Sequence, residues 1–125
     1  MDFITGGAYQ GKTEYAKSRF GFEDKDIFTC REDGKIDFSA PCIDGLEAYA
    51  LYCAREGKDP VEVFKQNREK WQNAVIICRD VFCGVVPADA SLRAGRECAG
   101  RLCVYLASVA ESVTRLFCTL PQKLK

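Results

Sequence analysis

Apolar positions along this chain follow two different rhythms. Short unbroken runs occur at Phe3-Ile4, at Ile27-Phe28 and, most strongly, at Ala74-Val75-Ile76-Ile77-Cys78. An uninterrupted apolar run of that length is the mark of a strand buried on both faces of a parallel sheet. Between the runs the spacing becomes helical. Residues 12–20 carry Tyr15, Ala16 and Phe20 near one face, with Gly21 as a stop. Leu46, Tyr49, Ala50 and Cys53 predict a helix over 46–56 that ends at Gly57. Asp59-Pro60 is a cap followed by a first-turn proline, and predicts a helix to about residue 71. The longest helical pattern spans 89–111 through Leu92, Cys103, Leu106 and Ala110, weakened at Gly95 and Gly100. Strands are predicted over 1–5, 27–30, 35–38, 74–78 and 113–118. Asp33-Gly34 reads as a turn, 41–45 as a break, 81–87 as a loop and 122–125 as a polar tail. This alternation predicts one α/β domain over residues 1–125, with a mainly parallel central sheet of about five strands flanked by helices. Ligands of such sheets bind at the carboxyl ends of strands.

Composition narrows the function classes. The 125 residues suit one domain, and 47% hydrophobic content is enough for a sizeable core. Eighteen basic residues balance eighteen acidic ones, which gives no footprint for nucleic acid or an acidic membrane surface. No apolar run approaches the ~20 residues of a membrane span. No charged-then-apolar leader precedes residue 6, so a cytoplasmic chain is expected. The eight cysteines form no Cys-x-x-Cys pair, and no histidine is present to complete a mixed zinc site. Most sit inside apolar runs and read as small buried hydrophobes in a reducing compartment, in preference to a disulfide framework. The absence of histidine excludes any imidazole base or histidine-linked intermediate supplied by this chain.

One stretch carries explicit chemistry. Gly6-Gly7-Ala8-Tyr9-Gln10-Gly11-Lys12-Thr13 is a complete Gly-x-x-x-x-Gly-Lys-Thr pattern, placed between a predicted strand and a predicted helix. Small residues let the backbone curl so that successive N–H groups face one anion, and the helix adds its positive end. Lys12 would reach the β- and γ-phosphates of a nucleoside triphosphate, and the Thr13 hydroxyl would lie on Mg²⁺. Tyr9 and Gln10 occupy the variable positions. They either face the ligand or a partner, or are simply tolerated there.

Such a site needs a carboxylate at a neighbouring strand end. Asp80, just beyond the apolar run, is the first candidate, either for the metal or for orienting an acceptor hydroxyl; a plain turn role is its alternative. Asp44 is the second candidate. Arg79, Arg93, Arg96 and Arg101 follow the same strand. They read either as phosphate clamps or as a solvated helix face paired with Glu97.

These residues, together with two further segments, resemble the adenosylcobinamide kinase/adenosylcobinamide-phosphate guanylyltransferase family of cobalamin biosynthesis. Ile4-Thr5-Gly6-Gly7-Ala8 running into Gly11-Lys12-Thr13 is the first piece. Cys78-Arg79-Asp80-Val81-Phe82-Cys83-Gly84-Val85-Val86-Pro87 is similar to the family's Ser-Asn-Glu-Val-Gly-x-Gly-Ile-Val-Pro stretch. Leu92-Arg93, Arg96-Glu97 and Gly100-Arg101-Leu102 then look like its arginine-rich helix, and Leu120-Pro121-Gln122-Lys123-Leu124-Lys125 like its Leu-Pro-x-x-Leu-Lys ending. The resemblance covers residues 1–20 and 74–125.

The resemblance implies a P-loop fold, ATP or GTP with Mg²⁺, phosphorylation of adenosylcobinamide followed by GMP transfer, and a homo-oligomer, with a trimer expected. It places Lys12 and Asp80 in catalysis, residues 6–13 with Arg93 and Arg96 on the nucleotide, and Thr13 and Asp80 on the metal. This chain departs from the family between about residues 30 and 74, where it is shorter and lacks the histidine that takes GMP covalently. Ile43-Asp44-Gly45-Leu46 is a remnant of the family's acid-ended strand, and Asn-Glu is replaced by Arg79-Asp80. The expectation is therefore a kinase without covalent guanylyl transfer. The alternatives are a non-catalytic nucleotide- or corrinoid-binding relative, acting as a sensor or a partner of a full-length enzyme, and a kinase for another small molecule.

Overall fold

A computed structural model describes residues 1–80 and 88–125. The loop expected at 81–87, with the Gly-Val-Val-Pro part of the family-like stretch, lies outside the described residues. Six strands form one sheet: β1 (Asp2–Gly6), β2 (Ile27–Thr29), β3 (Cys42–Asp44), β4 (Val75–Arg79), β5 (Ser112–Phe117) and β6 (Leu120–Lys123). Their spatial order is β2-β3-β4-β1-β5-β6. All neighbours run parallel except β5 and β6, which are antiparallel.

The unbroken apolar runs are explained by cover on both faces of this sheet. Alternation along each strand sends Phe3, Ile43, Ile76, Cys78 and Val113 to one face, and Ile4, Cys42, Val75, Ile77 and Leu116 to the other. The second face is closed by α1 (Lys12–Phe20) through Ala16, Tyr15 and Phe20. On the first face lie α2 (Leu46–Arg55), α3 (Pro60–Gln66), the single turn α4 (Arg68–Trp71) and α5 (Ala90–Val109). Among the described residues no helix is long and apolar enough to cross a membrane.

The helix boundaries follow the expected signals. Gly21 ends α1 in the left-handed region, with its N–H on the Lys17 carbonyl. The Asp59 carboxylate accepts from the Val61 N–H ahead of α3, and Asp89 accepts from Ser91 and Leu92 ahead of α5. Gly95, which should weaken α5, instead lets it lie against α2. A Cβ there would sit 2.7 Å from Leu51 Cδ1 and 3.1 Å from Leu51 Cα. Ala50, Cys98 and Ala99 continue the same seam of small side chains.

Four expectations are corrected. Residues 35–38 form no strand. The expected break at 41–45 contains β3, which is only three residues long but fully enclosed at Cys42 and Ile43. The helix expected through to residue 71 is divided at Asn67, whose side-chain amide donates to the Val63 carbonyl at 2.8 Å. Half of the polar tail, Gln122 and Lys123, belongs to β6, so the sheet has six strands where about five were expected. Cys118 and Thr119 join β5 to β6 with φ of 48° and 66°. That is a primed two-residue turn, ordinarily signalled by Asn-Gly or Asp-Gly, so the sequence carried no cue for this hairpin.

The glycine loop leaves β1 under a tight constraint. Gly6 has φ of +146°, and a Cβ on it would lie 2.5 Å from the Leu116 carbonyl oxygen of β5. Gly6→Ala is expected to cost about 1–3 kcal/mol through strain and enforced strand displacement. Urea unfolding measures it, and an unchanged midpoint would show that β5 yields freely.

Candidate functional site

Residues Gly7 to Gly11 carry the chain from the end of β1 into α1. Tyr9 holds φ of 60° at the tip, with its side chain fully exposed. The loop is braced from the β5–β6 turn. The Gln10 carbonyl accepts from the Thr119 N–H at 3.1 Å, and the Gln10 side-chain oxygen accepts from the Cys118 N–H. Gln10 therefore points toward the hairpin and fixes the loop from behind, while Tyr9 projects into solvent.

Lys12, in the first turn of α1, folds back over the loop and donates to the Gly7 carbonyl at 2.6 Å. Burial is the main influence on it and lowers its pKa from the ordinary 10.5. The nearby Glu47 and Asp44 carboxylates oppose that shift, and Arg79 adds to it. The ammonium thus sits at the loop, partly stripped of water and facing carboxylates.

Thr13 Oγ1 donates to Asp44 Oδ2 at 2.5 Å. The other Asp44 oxygen accepts from the Gly45 N–H at 2.6 Å. The second acidic candidate is thus brought to the loop threonine from β3, two strands away from β1 across β4. A hydroxyl and a carboxylate in contact are hard oxygen donors. They suit Mg²⁺, which takes one or two protein oxygens and fills the remaining positions with water and phosphate.

Asp80 follows β4 directly, and its backbone N–H donates to the Gly6 carbonyl at 2.8 Å, which ties the end of β4 to the end of β1. A cleft of about 900 Å³ opens beside the loop. Gly7, Ala8, Arg79 and Asp80 line it on the strand side, Glu47 and Leu51 on the α2 side, and Leu92 and Arg96 on the α5 side. Arg31 and Glu32 complete the mouth, with Glu32 held by Arg55 at 3.1 Å.

The arginine cluster divides. Arg79 and Arg96 line the cleft. Arg93 donates to the Ala88 carbonyl at 2.6 Å just ahead of α5. Arg101 pairs with Glu97 at 2.9 Å, the solvated-face alternative. Neither Arg31 nor Glu47 stands out in the sequence. For Glu47 a signal existed, since it is an acid in the first turn of the helix that follows Asp44; for Arg31, in an irregular segment, there was none.

The described cysteines are all unpaired thiols, and Cys30, Cys42, Cys53, Cys78 and Cys98 are buried. Burial pushes Cys30 and Cys42 up to about 12, so both stay protonated and act as packing groups. Among the described residues no three cysteine, aspartate or glutamate side chains come together to hold an ion. The chain matches no model of a known protein family, and no curated protein matches it.

Proposed function

We propose that this protein is a P-loop phosphotransferase that moves the γ-phosphoryl group of ATP or GTP to the side-chain hydroxyl of adenosylcobinamide. The observation that carries the reading is the Thr13–Asp44 contact at 2.5 Å beside Lys12 and the glycine loop. It joins the motif's threonine to a strand-end acid, the pairing that a Mg-nucleotide site requires. The family-like segments supply the acceptor, and the lack of histidine rules out guanylyl transfer through a histidine of this chain.

In this reading the backbone N–H groups of residues 7–13 cradle the phosphates at the start of α1. Lys12 exchanges the Gly7 carbonyl for phosphate oxygens and offsets charge that develops on the transferring group. Thr13 and Asp44 hold Mg²⁺, with Asp80 as a further oxygen at the neighbouring strand end; the bound ion would screen the phosphate charge. Arg96 reaches the cleft from α5, and Arg93 lies near it at the helix start. Tyr9 and Gln10 serve the loop's shape. Most of the catalysis comes from positioning and electrostatics. Assembly is as a homo-oligomer, a trimer by the family likeness, which light scattering would measure.

The test is Mg-dependent phosphoryl transfer from ATP and from GTP to cobinamide by the purified chain. Labelled phosphate on the corrinoid is the expected result. Normal nucleotide binding without transfer to cobinamide would favour the non-catalytic binding reading, and absence of nucleotide binding would overturn both.

A further inference from the structure

The loop and the Thr13–Asp44 pair account for phosphate and metal, but leave the acceptor hydroxyl without a base. Asp44 is already engaged: one oxygen accepts from Thr13 and the other from the Gly45 N–H. Glu47, three residues later in the first turn of α2, is placed differently. Its Oε2 accepts from the Arg79 N–H at 3.0 Å, a bond across 32 residues that fixes the carboxylate at the end of β4. Among the described residues its other oxygen accepts no hydrogen bond. The side chain lines the same cleft as Gly7 and Ala8 and is the strongest of the charges opposing the loss of Lys12's proton. An acid in the first turn of a helix is commonly there for the helix dipole. That role does not require a long-range tether, or a position facing a cleft of about 900 Å³ beside a phosphate loop.

Resting on the phosphotransferase reading, we propose that Glu47 is the carboxylate that receives the proton of the acceptor hydroxyl. In the step, the acceptor oxygen forms a bond to the γ-phosphorus while its proton passes to the free oxygen of Glu47. The bond from the γ-phosphorus to the β–γ bridging oxygen breaks, and the nucleoside diphosphate leaves with that electron pair. The tether to the Arg79 N–H holds the acid in place through the step, and Lys12 stays on the phosphate side. An amide in place of the carboxylate would keep the tether and lose the base.

Glu47→Gln and Glu47→Ala separate the two roles. Turnover is measured with cobinamide as acceptor and with water as acceptor, beside the Kd for Mg-ATP and Mg-GTP and the thermal midpoint. The expected result for Glu47→Gln is an unchanged midpoint, nucleotide Kd within about threefold of wild type, and kcat lowered by roughly 10²-fold or more, in the range for loss of a general base. Glu47→Ala should share the loss of kcat and also lower the midpoint, with Gln restoring stability but not rate. Wild-type kcat in Glu47→Gln overturns the assignment. So does a wild-type chain that binds nucleotide but turns it over with neither acceptor, an outcome that leaves the nucleotide site standing. Failure of the wild type to bind nucleotide at all removes the phosphotransferase reading, and Glu47's role with it.

Discussion

Lys12→Ala is expected to weaken Mg-nucleotide binding by roughly 10- to 150-fold, equivalent to the ~1.5–3 kcal/mol of a hydrogen bond to a charged group, while leaving the fold intact. The two effects separate because of where the ammonium sits. Burial, joined by Arg79, lowers the Lys12 pKa from 10.5 against the opposing pull of Glu47 and Asp44, so the folded chain holds this charge at a cost. Between the lowered value and 10.5 the unfolded chain binds the proton and the folded chain does not, so stability rises with pH across that window. Below it the folded chain carries the full burial cost. Removing the charge relieves that cost and forfeits one hydrogen bond, to the Gly7 carbonyl. A bound polyphosphate favours the charged form. Wild-type affinity should therefore fall as pH rises through the lowered Lys12 pKa, and the alanine variant should lack that dependence. Calorimetric titration across alkaline pH reads both results. An alanine variant with wild-type affinity would show that the loop does not hold phosphate.

Trp71→Ala carries the largest expected cost in stability, about 3–5 kcal/mol. Trp71 is 1% exposed and donates its indole N–H to the Phe64 carbonyl at 2.7 Å. Its ring meets Phe64 at 5.6 Å and Tyr105 of α5 at 6.2 Å, and Phe64 in turn meets Phe38 edge-on at 5.0 Å. One side chain thus fastens α3, α4 and the irregular segment before β3 onto α5. Truncation opens a cavity and also leaves the Phe64 carbonyl without its donor. Against a total stability of about 5–15 kcal/mol, the loss brings a domain of this size close to unfolding near body temperature. Trp71→Phe should fall between the two, since it refills most of the volume but not the hydrogen bond. Urea denaturation followed by far-ultraviolet circular dichroism measures the series, because the only tryptophan is the one removed. A loss under about 1 kcal/mol would show that the aromatic cluster repacks.

Local chemistry in the sequence determined much of this protein. The glycine pattern located the loop from residue 6 to Thr13. The run at 74–78 marked a central strand within one residue of β4. Asp59-Pro60, Asp89 and Gly21 marked helix ends because caps act within a few residues of themselves. Apolar context rightly placed Cys30, Cys42, Cys53, Cys78 and Cys98 in the core, but not Cys118, which the β5–β6 turn leaves exposed. Tertiary structure decided whatever depends on strand order. With β4 between β1 and β3, the ends of three parallel strands converge, and Asp44 reaches Thr13 across 31 residues. The same convergence ties Glu47 to the end of β4. β3 is too short to show a period of two, and the β5–β6 hairpin turns on two residues that carry no turn signal. The arginines, close in sequence, separate because a helix rotates its positions by about 100° per residue, so Arg96 lines the cleft while Arg101 pairs with Glu97 on the solvated surface.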